Sequence, residues 1–418
     1  MTGDNVTAIH YIADAMIGSI DATQKFNATD KIEQQLSLKQ GWNWVSTNVV
    51  NTTSPLLSQF EAGMEDAGIQ IKSRNKGFTN YASGSWNGSL TAMDQISMYM
   101  IKTNQAKTIK LVGAMAKPAE AANKIQIDSL WNWIGYTPQF VAPVSIALSN
   151  VNPREGDQVK GQVGFATYTG GTWNGSLQYM NPGMGYMYYS KNKKTGFNYP
   201  SQYLGASHMI KLNNENTALK WEASVSKYQQ SMTVTAVALI DETEVANSDL
   251  QLGVFIDNEC RGSIPLQYVD SYKRYFAYLT IWGNPEDVNK RITFKSFNQA
   301  TDKELISNDV ALTYIPNEII GSIVSPYILK ISSIASGINE LDKDLTKIYP
   351  NPVINTLHFN YNPNEIELFE IVDATGRVIN YTGTINKNSV NVDELVPGIY
   401  TLRVTYKGEN YVHRFIKK

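Results

Sequence analysis

The stretch FTNYASGSWNGSL occupies residues 78–90, and a near copy, FATYTGGTWNGSL, occupies residues 165–177, 87 positions later. In both copies, apolar and polar residues alternate on either side of a few small residues, a pattern typical of two half-buried strands. The small residues ASG and TGG tolerate the positive φ angles that a tight turn requires. Each copy is therefore predicted to form a β-hairpin.

The repetition extends beyond the hairpins, because the tripeptide WNW at residues 42–44 returns at residues 131–133. A period of about 87 residues is longer than the 20–50 residues of solenoid or propeller repeats, so each copy is predicted to be a small domain. We place these domains at residues 35–122 and 123–212. The first also contains SPLLSQFEAGMEDA, whose apolar spacing predicts a helix, whereas the second has APVSIALSNVNP there and is expected to form at most a short helix.

A shorter repeat links the two ends of the following region. YIADAMIGSI at residues 11–20 matches YIPNEIIGSI at residues 314–323. The second instance closes a stretch of alternating strands that predicts a β-sandwich at residues 213–335, followed by a linker at residues 336–346. We therefore interpret residues 1–34 as the C-terminal remnant of a preceding copy of that domain, and expect the chain to be a fragment of a longer array.

The composition excludes several classes of protein. Lysine and arginine total 36 against 38 aspartate and glutamate residues, which argues against a nucleic-acid partner, since phosphates favour dense basic patches. The single cysteine, Cys260, excludes a disulfide framework. The longest apolar stretch, residues 319–335, contains Pro326 and Lys330, so no transmembrane segment is predicted, and no signal peptide is visible.

Catalytic motifs are missing from the sequence, which has neither a phosphate-binding glycine loop nor H-E-x-x-H nor G-x-S-x-G. DNECRG at residues 257–262 could supply carboxylates, a thiol nucleophile and an anion-binding Arg261, or it could be a hairpin turn with a buried cysteine. No metal and no cofactor are predicted, although oxygen ligands for calcium cluster at Asp241, Glu242, Glu244 and Asp249. Small repeated domains suit binding better than catalysis, and we expect no enzymatic activity.

Aromatic residues are concentrated in the two repeats, which hold six of the eight tryptophans. Rings beside amides are typical of sugar recognition, but tryptophan also packs the cores of small β-domains. Both tryptophans of WNW point to one face of a strand, which favours a core position. Candidate ligand-binding residues, for a glycan or a host or cell-surface protein, are Tyr81, Trp86, Asn87, Tyr168, Trp173 and Asn174.

The last part of the chain, residues 347–418, contains a series of short motifs. YPNP at 349–352 opens it, DATGR follows at 373–377, LVPGIYTLRV at 395–404, and a basic pair ends it. Alternating strands separated by Asp-x-x-Gly and Pro-Gly turns predict a compact antiparallel, immunoglobulin-like β-sandwich. The motif residues are Tyr349, Pro350, Asn351, Pro352, Asp373, Gly376, Gly398, Tyr400, Lys417 and Lys418.

These motifs, in this order, closely resemble the type A C-terminal sorting domain of cargo of the type IX secretion system of Bacteroidota. The resemblance implies export across the outer membrane, contact with the translocon and the outer-membrane shuttle and sortase components, and an extracellular or cell-surface location. GWNWVS at residues 41–46 likewise resembles the GWNW-type repeats of large surface proteins from these bacteria. The second unit departs from that pattern, with Leu130 in place of the glycine.

Together these patterns predict a mainly β chain, in which tandem small β-rich domains, with a helix in the first repeat, precede a β-sandwich and an immunoglobulin-like C-terminal sandwich. We expect the C-terminal part of a secreted, surface-attached multidomain protein that acts as a non-catalytic adhesin or as a glycan- or protein-binding array. The alternative is a passive structural stalk that carries an N-terminal functional domain, such as a hydrolase, outside this chain.

Overall fold

The computed structural model describes residues 7–9, 31–50, 54–203, 219–307, 312–332, 348–359, 365–373, 377–379, 388–406 and 409–418. The chain divides into two compact units, residues 1–335 and residues 336–418. It is mainly β, which confirms the predicted fold class. Residues 11–20, the linker at 336–346 and Gly376 lie outside the described residues, so the predictions made for them stay predictions, as do the predicted domain boundaries.

The first repeat, together with the strands β1 and β2 that begin before residue 35, contains two sheets and a helix. Its elements are β1 (Thr7–Ile9), β2 (Lys31–Leu38), β3 (Gly41–Val45), β4 (Val49–Val50), α1 (Leu56–Met64), a 3-10 turn (Glu65–Ala67), β5 (Gly68–Lys72), β6 (Phe78–Ala82), β7 (Ser85–Gly88), β8 (Tyr99–Thr103) and β9 (Lys107–Met115). The strands form a five-stranded sheet in the order β3-β8-β5-β6-β7 and a four-stranded sheet in the order β1-β2-β9-β4. Helix α1 buries Leu56, Leu57, Phe60 and Met64 in the core of this repeat, as its apolar spacing predicts.

The second repeat has the same five-stranded sheet but shorter accessory elements. Its elements are a 3-10 turn (Ala121–Asn123), β10 (Ile125–Ile127), β11 (Leu130–Gly135), β12 (Ala142–Pro143), α2 (Val144–Ala147), a 3-10 turn (Ser149–Val151), β13 (Gln158–Lys160), β14 (Phe165–Thr169), β15 (Thr172–Gly175), β16 (Tyr179–Met180), β17 (Gly185–Ser190) and β18 (Lys194–Phe197). The strand order β11-β17-β13-β14-β15 matches that of the first repeat element by element. The four-residue helix α2 agrees with the short helix predicted for this copy.

The two repeats pack against each other through reciprocal contacts. Val45 pairs with Met184, and Ile134, which corresponds to Val45, pairs with Ser97, which corresponds to Met184. Two backbone hydrogen bonds repeat this relation, from Ser46 N to the Gly183 carbonyl at 3.0 Å and from Gly135 N to the Ile96 carbonyl at 2.8 Å. In an isologous interface, each partner uses the same patch. The duplicated units are therefore associated like the two halves of a symmetric dimer.

A β-sandwich completes the first unit. Its elements are a 3-10 turn (Val225–Lys227), β19 (Gln230–Ile240), β20 (Thr243–Glu244), β21 (Leu250–Ile256), β22 (Glu259–Pro265), β23 (Gln267–Val269), β24 (Arg274–Gly283), a 3-10 turn (Pro285–Asp287), β25 (Arg291–Asn298), β26 (Lys303–Ser307), β27 (Leu312–Thr313), β28 (Ile319–Ile320) and β29 (Tyr327–Ser332). The main strand path is β22-β21-β25-β26-β29-β19-β24-β23, and it encloses an aliphatic core. Strand β19 pairs antiparallel with β24 but parallel with β29.

The WNW tryptophans meet at the junction of the two repeats and the sandwich. All four lie in one cluster with methionines of β8 and β17 and with Trp282 of the sandwich, whose ring lies 5.5 Å from that of Trp44. Trp42 and Trp44 are 6% and 1% exposed. The rings share one face of the strand, as predicted, and form a core that is common to three parts of the unit.

Each WNW segment places its first tryptophan under a lysine. Lys72 Nζ lies 4.5 Å from the centre of the Trp42 ring, and Lys160 Nζ lies 4.4 Å from that of Trp131. The lysines occupy equivalent places, because Lys72 faces Phe78 and Lys160 faces Phe165 across the next strand. Cation–π contacts of this kind contribute roughly 0.5–2 kcal/mol. The duplication therefore preserves a lysine–tryptophan pair as well as the hairpin.

The second unit is a two-sheet sandwich. Its strands are β30 (Ile348–Tyr349), β31 (Thr356–Phe359), β32 (Ile366–Asp373), β33 (Val378–Ile379), β34 (Ser389–Asn391), β35 (Gly398–Tyr406) and β36 (Glu409–Lys417). They form the sheets β30-β31-β34 and β33-β32-β35-β36. Alternate residues of β31 and β35 turn inward, including Leu357, Phe359, Leu402 and Val404, as the alternation in the sequence predicts.

Candidate functional site

The two predicted hairpins are present, and each carries an aromatic pair on one face. Tyr81 lies opposite Trp86 with ring centres 5.4 Å apart, and Tyr168 lies opposite Trp173 at 5.4 Å. All four rings are half-buried. Trp86 packs on the core of the first repeat, where a Cβ at Gly68 would come within 2.4 Å of the ring. The inner faces of these rings therefore support the hairpins, and only their outer parts are open to solvent.

On the opposite face of the sheet, polar side chains form a row across three strands. Gln70, Asn80 and Asn87 lie directly opposite one another on β5, β6 and β7. The Gln70 amide donates to Asn80 Oδ1 at 2.7 Å, and the Asn87 amide donates to Ser85 Oγ at 2.9 Å. Residues opposed across strands share a face of the sheet. We call this set, together with the neighbouring Phe78, the open face of the first repeat.

The same row exists in the second repeat, where the sandwich covers it. Gln158, Thr167 and Asn174 take the equivalent places and are 0%, 7% and 9% exposed. Gln158 accepts a hydrogen bond from Thr233 Oγ1 of the sandwich at 3.1 Å. The Asn174 amide donates to the Thr169 carbonyl at 3.1 Å, within its own hairpin. This row is therefore part of an internal interface.

The first residue of each hairpin shows the same difference. Phe78 is 46% exposed, whereas Phe165 is fully buried against Val237, Phe276, Tyr278 and Ile323 of the sandwich. The sequence treats the two positions alike, and only the tertiary packing separates them. Of the six residues singled out from the sequence, Asn87 lies on the open face and Asn174 on the covered one, while the four aromatic residues lie on the inner face. Sequence reasoning missed Gln70, Phe78 and Asn80 as candidates, although Phe78 and Asn80 stand in the quoted repeat.

DNECRG forms the hairpin between β21 and β22, with Asp257 and Asn258 at φ angles of 51° and 64° in the turn. Burial raises the pKa of the Cys260 thiol, and this disfavours the nucleophilic thiolate. Arg261 donates two hydrogen bonds to Asp287, at 2.7 and 3.3 Å, and its guanidinium lies 4.5 Å from the centre of the Tyr228 ring. The structure therefore favours the turn interpretation of this motif.

The carboxylates considered for calcium are directed toward cations. Glu244 binds Arg274 through two hydrogen bonds of 2.8 Å, which lower the pKa of its carboxyl group, and Glu242 accepts from Lys330 at 2.9 Å. In the described ranges, no group of three or more histidine, cysteine, aspartate or glutamate residues could hold a metal ion. The carboxylates of Glu242 and Glu244 are therefore occupied by ion pairs with Lys330 and Arg274.

In the second unit, the YPNP motif contacts the last strand of the chain. Asn351 accepts a hydrogen bond from Ile416 N at 2.9 Å and donates one to the Arg414 carbonyl at 2.9 Å. Val353 N donates to the Ile416 carbonyl, and Lys418 N donates to the Val353 carbonyl. Strand β36 is an edge strand, and such strands leave backbone groups unpaired unless another segment covers them. The opening and closing motifs of this unit thus form one structural element.

The other motif residues have structural contacts of their own. Arg377 donates to Asp373 from its backbone N and from Nε, both at 3.1 Å, across the DATGR segment. Tyr400 donates to the Val396 carbonyl at 2.8 Å, and its ring stacks on Phe415. Gly398 pairs with Lys417, which is 8% exposed, and Tyr349 stacks on His358. These motif residues are far apart in the sequence, and each has a structural contact within the C-terminal unit.

Comparison with known families identifies the C-terminal unit. Residues 347–418 match the family model described as the secretion system C-terminal sorting domain. The chain therefore carries a type IX sorting domain, which indicates a protein exported across the outer membrane to the cell surface or the extracellular space. No curated protein matches the chain. None of the helices in the described ranges has the length and hydrophobicity of a membrane span.

Comparison with solved structures returned weak similarities to three extracellular or biofilm-associated proteins. They are Drosophila OTK, extracellular domains 3-5 (10% identity, TM-score 0.14, 46% of this chain and 61% of that one), the ICAM-5 D1-D4 ectodomain fragment (8%, 0.13, 92% and 77%) and the BSP domain of a biofilm associated protein (12%, 0.14, 93% and 63%). The chain spans less than two thirds of the OTK fragment. At such TM-scores, these similarities carry no argument about function.

Proposed function

We propose that this chain is the C-terminal part of a multidomain surface protein of Bacteroidota and that it acts as a non-catalytic adhesin. In this proposal, the open face of the first repeat binds a glycan or a cell-surface protein. One observation carries it: the sandwich buries this row of polar side chains in the second repeat, whereas in the first repeat Asn87 and Phe78 are exposed and Gln70 and Asn80 are half-buried. The resemblance to GWNW-type surface repeats and to the type A sorting domain supports the same assignment.

The chemistry of the open face suits a sugar. Phe78 offers a half-exposed ring, and the amides of Asn80 and Asn87 offer donors and acceptors beside it. Sugar C–H groups pack on aromatic faces, while side-chain amides can both donate to and accept from hydroxyl groups. Because the amides sit on paired strands, their spacing is fixed before a ligand arrives, which lowers the entropic cost of binding.

A non-catalytic role fits the environment of the most reactive side chains. The Cys260 thiol has a raised pKa and its neighbour Arg261 is engaged by Asp287, so the motif that most resembled a catalytic site is used in a turn. Binding through a repeated domain displayed at the surface requires no such group. The sorting domain supplies the route to that surface.

The proposal is tested by screening the complete chain on a glycan array and on intact cells. Phe78→Ala and the double variant Asn80→Ala with Asn87→Ala are expected to reduce binding about tenfold or more, since aromatic and amide contacts dominate such sites. Tyr268→Ala is the matched control, because Tyr268 lies on the sandwich and is 49% exposed, close to the 46% of Phe78. Binding that survives both sets of substitutions would contradict the proposal.

The alternative is a passive stalk that displays a functional domain outside this chain. It draws support from the hairpin aromatics, because Trp86 and Trp173 pack into the cores of their own repeats. A stalk would give no binding in the screen with any variant. It would also tolerate Trp86→Phe and Asn87→Ala without a change in adhesion of cells that display the protein.

A further inference from the structure

A cleft of about 530 Å³ opens beside the second hairpin. Its walls include Arg154, Glu155, Asp157, Tyr168 and Lys191. The volume lies within the range of about 300–1,000 Å³ that is typical of small-ligand sites. The first repeat offers no equivalent loop, because the 3-10 turn Glu65–Ala67 leads directly into β5 there. Within residues 54–203, the loop that shapes this cleft therefore belongs to the second repeat and has no counterpart in the first.

The loop that forms one wall is fixed by hydrogen bonds. Asp157 N donates to the Arg154 carbonyl at 2.9 Å, and Arg154 N donates to Asp157 Oδ2 at 2.9 Å. Gly156 N donates to the Tyr168 carbonyl, and Tyr168 N donates to the Asp157 carbonyl. A loop tied in this way to the hairpin presents its side chains in a set arrangement, which favours binding of a small ligand.

The carboxylates of the cleft are already bound by the protein. Asp157 Oδ2 lies 2.7 Å from Lys194 Nζ and accepts the Tyr188 hydroxyl at 2.7 Å. The side chains of this Lys194–Asp157 pair are only 7% and 2% exposed, so it is shielded from water. Glu155 accepts a hydrogen bond from Gly170 N at 2.9 Å. The Asp157 charge is thus paired inside the protein, whereas Glu155 is exposed and one oxygen of its carboxylate is held against the hairpin by Gly170 N.

The cations of the cleft are directed differently. Arg154 and Lys191 are exposed, and across the described ranges neither side chain has an ion-pair partner. Beside them, the ring of Tyr168 is held in place by Trp173, which meets it at an interplanar angle of 65°. Arginine and lysine are the residues that bind carboxylate and sulfate groups, and an aromatic ring provides a flat apolar surface. The cleft therefore combines positive charge with a stacking surface.

We propose that this cleft binds an anionic saccharide, with Arg154 and Lys191 on its carboxylate or sulfate and Tyr168 against its ring. This is a second site with its own chemistry, and it goes beyond the binding proposed for the open face of the first repeat. A uronic acid and a sulfated sugar differ here only in their charged group. The same cations and the same ring would therefore bind either one. Because both cations are exposed, the expected affinity is modest and sensitive to salt.

The test titrates the complete chain with D-glucuronate, with a sulfated glucose and with D-glucose, at low and at physiological salt. Binding of each sugar is measured by saturation-transfer NMR. We expect glucuronate or the sulfated sugar to bind about tenfold more tightly than glucose at low salt, with the difference shrinking as salt screens the charges. Comparison of the two anionic probes distinguishes a carboxylate site from a general anion site. Equal binding of glucose and of both anionic sugars would overturn the proposal.

Matched variants assign the effect to the cleft. Arg154→Gln and Lys191→Gln are each expected to weaken glucuronate binding several-fold. Tyr168→Leu is expected to remove saturation transfer to the protons of the sugar ring, because the aromatic ring that would lie against them is gone. Lys193→Gln is the control, because Lys193 is also exposed but lies 3.4 Å from Asp128 and does not line the cleft. Tyr268→Ala is expected to leave glucuronate binding unchanged, and Arg154 and Lys191 lie outside the open face, so failure of the first-repeat proposal is distinguishable from failure of this one. Loss of binding in Lys193→Gln but not in Lys191→Gln, or tighter binding of polyglutamate than of glucuronate, would overturn the assignment.

Discussion

The Asn351 side chain joins the start of the sorting unit to its end, accepting from Ile416 N and donating to the Arg414 carbonyl, both at 2.9 Å. One asparagine thereby satisfies two backbone groups of an edge strand. Neither neighbouring proline of the YPNP motif has a backbone N–H to offer, so the asparagine side chain supplies the donor. The motif is thus a structural part of the unit as well as its opening.

Replacing this side chain should loosen the last strand. Asn351→Ala removes both hydrogen bonds and is expected to destabilise the sorting unit by about 1–3 kcal/mol, since two backbone groups lose their partners. Hydrogen exchange of the complete chain should show faster exchange at Ile416 than in the unmodified protein. Asn388→Ala is the control, because Asn388 contacts the described residues of this unit through its backbone carbonyl, which accepts from Phe359 N. Unchanged exchange at Ile416 would show that the strand is held by other contacts.

The two equivalent phenylalanines of the hairpins should respond differently to truncation. Phe165→Ala opens a cavity between the second repeat and the sandwich and is expected to cost about 3–5 kcal/mol. Phe78→Ala removes a half-exposed ring and is expected to change stability by less than about 0.5 kcal/mol. Chemical denaturation followed by tryptophan fluorescence measures both. Similar losses for the two variants would mean that the open face of the first repeat is covered in solution.

Leu130 and Gly41 form a second pair of equivalent positions, both with positive φ, 67° and 95°. Left-handed backbone costs a residue with a side chain about 1–2 kcal/mol, so Leu130→Gly is expected to stabilise the protein, or at least not to destabilise it. Gly41→Ala is expected to destabilise it, because a Cβ there would lie 2.2 Å from the Ser226 carbonyl oxygen. Thermal unfolding of the two variants gives the comparison. A loss of stability in Leu130→Gly would indicate that the exposed leucine side chain has a contact of its own.

Lys160 should make the stability of the first unit depend on pH. Burial lowers the pKa of its ammonium to about 7, whereas an unfolded lysine titrates near about 10.4. Between these values the unfolded chain binds more protons, so the free energy of unfolding rises with pH, by up to about 1.4 kcal/mol per pH unit. Below pH of about 7 both states are protonated, and the contribution is flat at its lowest value.

The measurement compares Lys160→Met with the unmodified chain by denaturation from about pH 6 to about pH 9, below the range where tyrosines ionise. We expect the unfolding free energy of the unmodified protein to rise relative to that of Lys160→Met as pH rises, since only the unmodified protein gains stability. Lys72→Met gives the graded comparison: burial and the charge of Lys102 also lower the pKa of Lys72, which is less deeply buried and bonds Gln229, so a smaller change with pH is expected. A pH-independent difference would show that water reaches the Lys160 ammonium in the folded state.

Features that depend on neighbours in the sequence could be predicted without the structure. The hairpins at residues 78–90 and 165–177, helix α1 and the strands of the sandwiches follow from local alternation, spacing and turn residues, and all are present. The shared face of the WNW tryptophans follows from strand geometry alone. The sorting domain was identifiable because its motifs occur in a fixed order.

Features that depend on distant contacts could not be predicted. Nothing near Phe78 or Phe165 indicates that the sandwich covers one and leaves the other exposed. The lysines above Trp42 and Trp131 precede the hairpins at nearly the same distance, a signal that an alignment of the two repeats would have found. The cleft beside Tyr168 depends on a loop that occurs in one repeat only, so no comparison within the sequence could locate it.

The reciprocal contacts between the repeats have a mechanical consequence. Tension between residues 35 and 203 is expected to load the Val45–Met184 and Ser97–Ile134 contacts at the same time, because both link one repeat to the other. Tandem domains without mutual contacts would unfold one after another at low force. The two repeats are instead expected to unfold together, in a single large increase in chain extension.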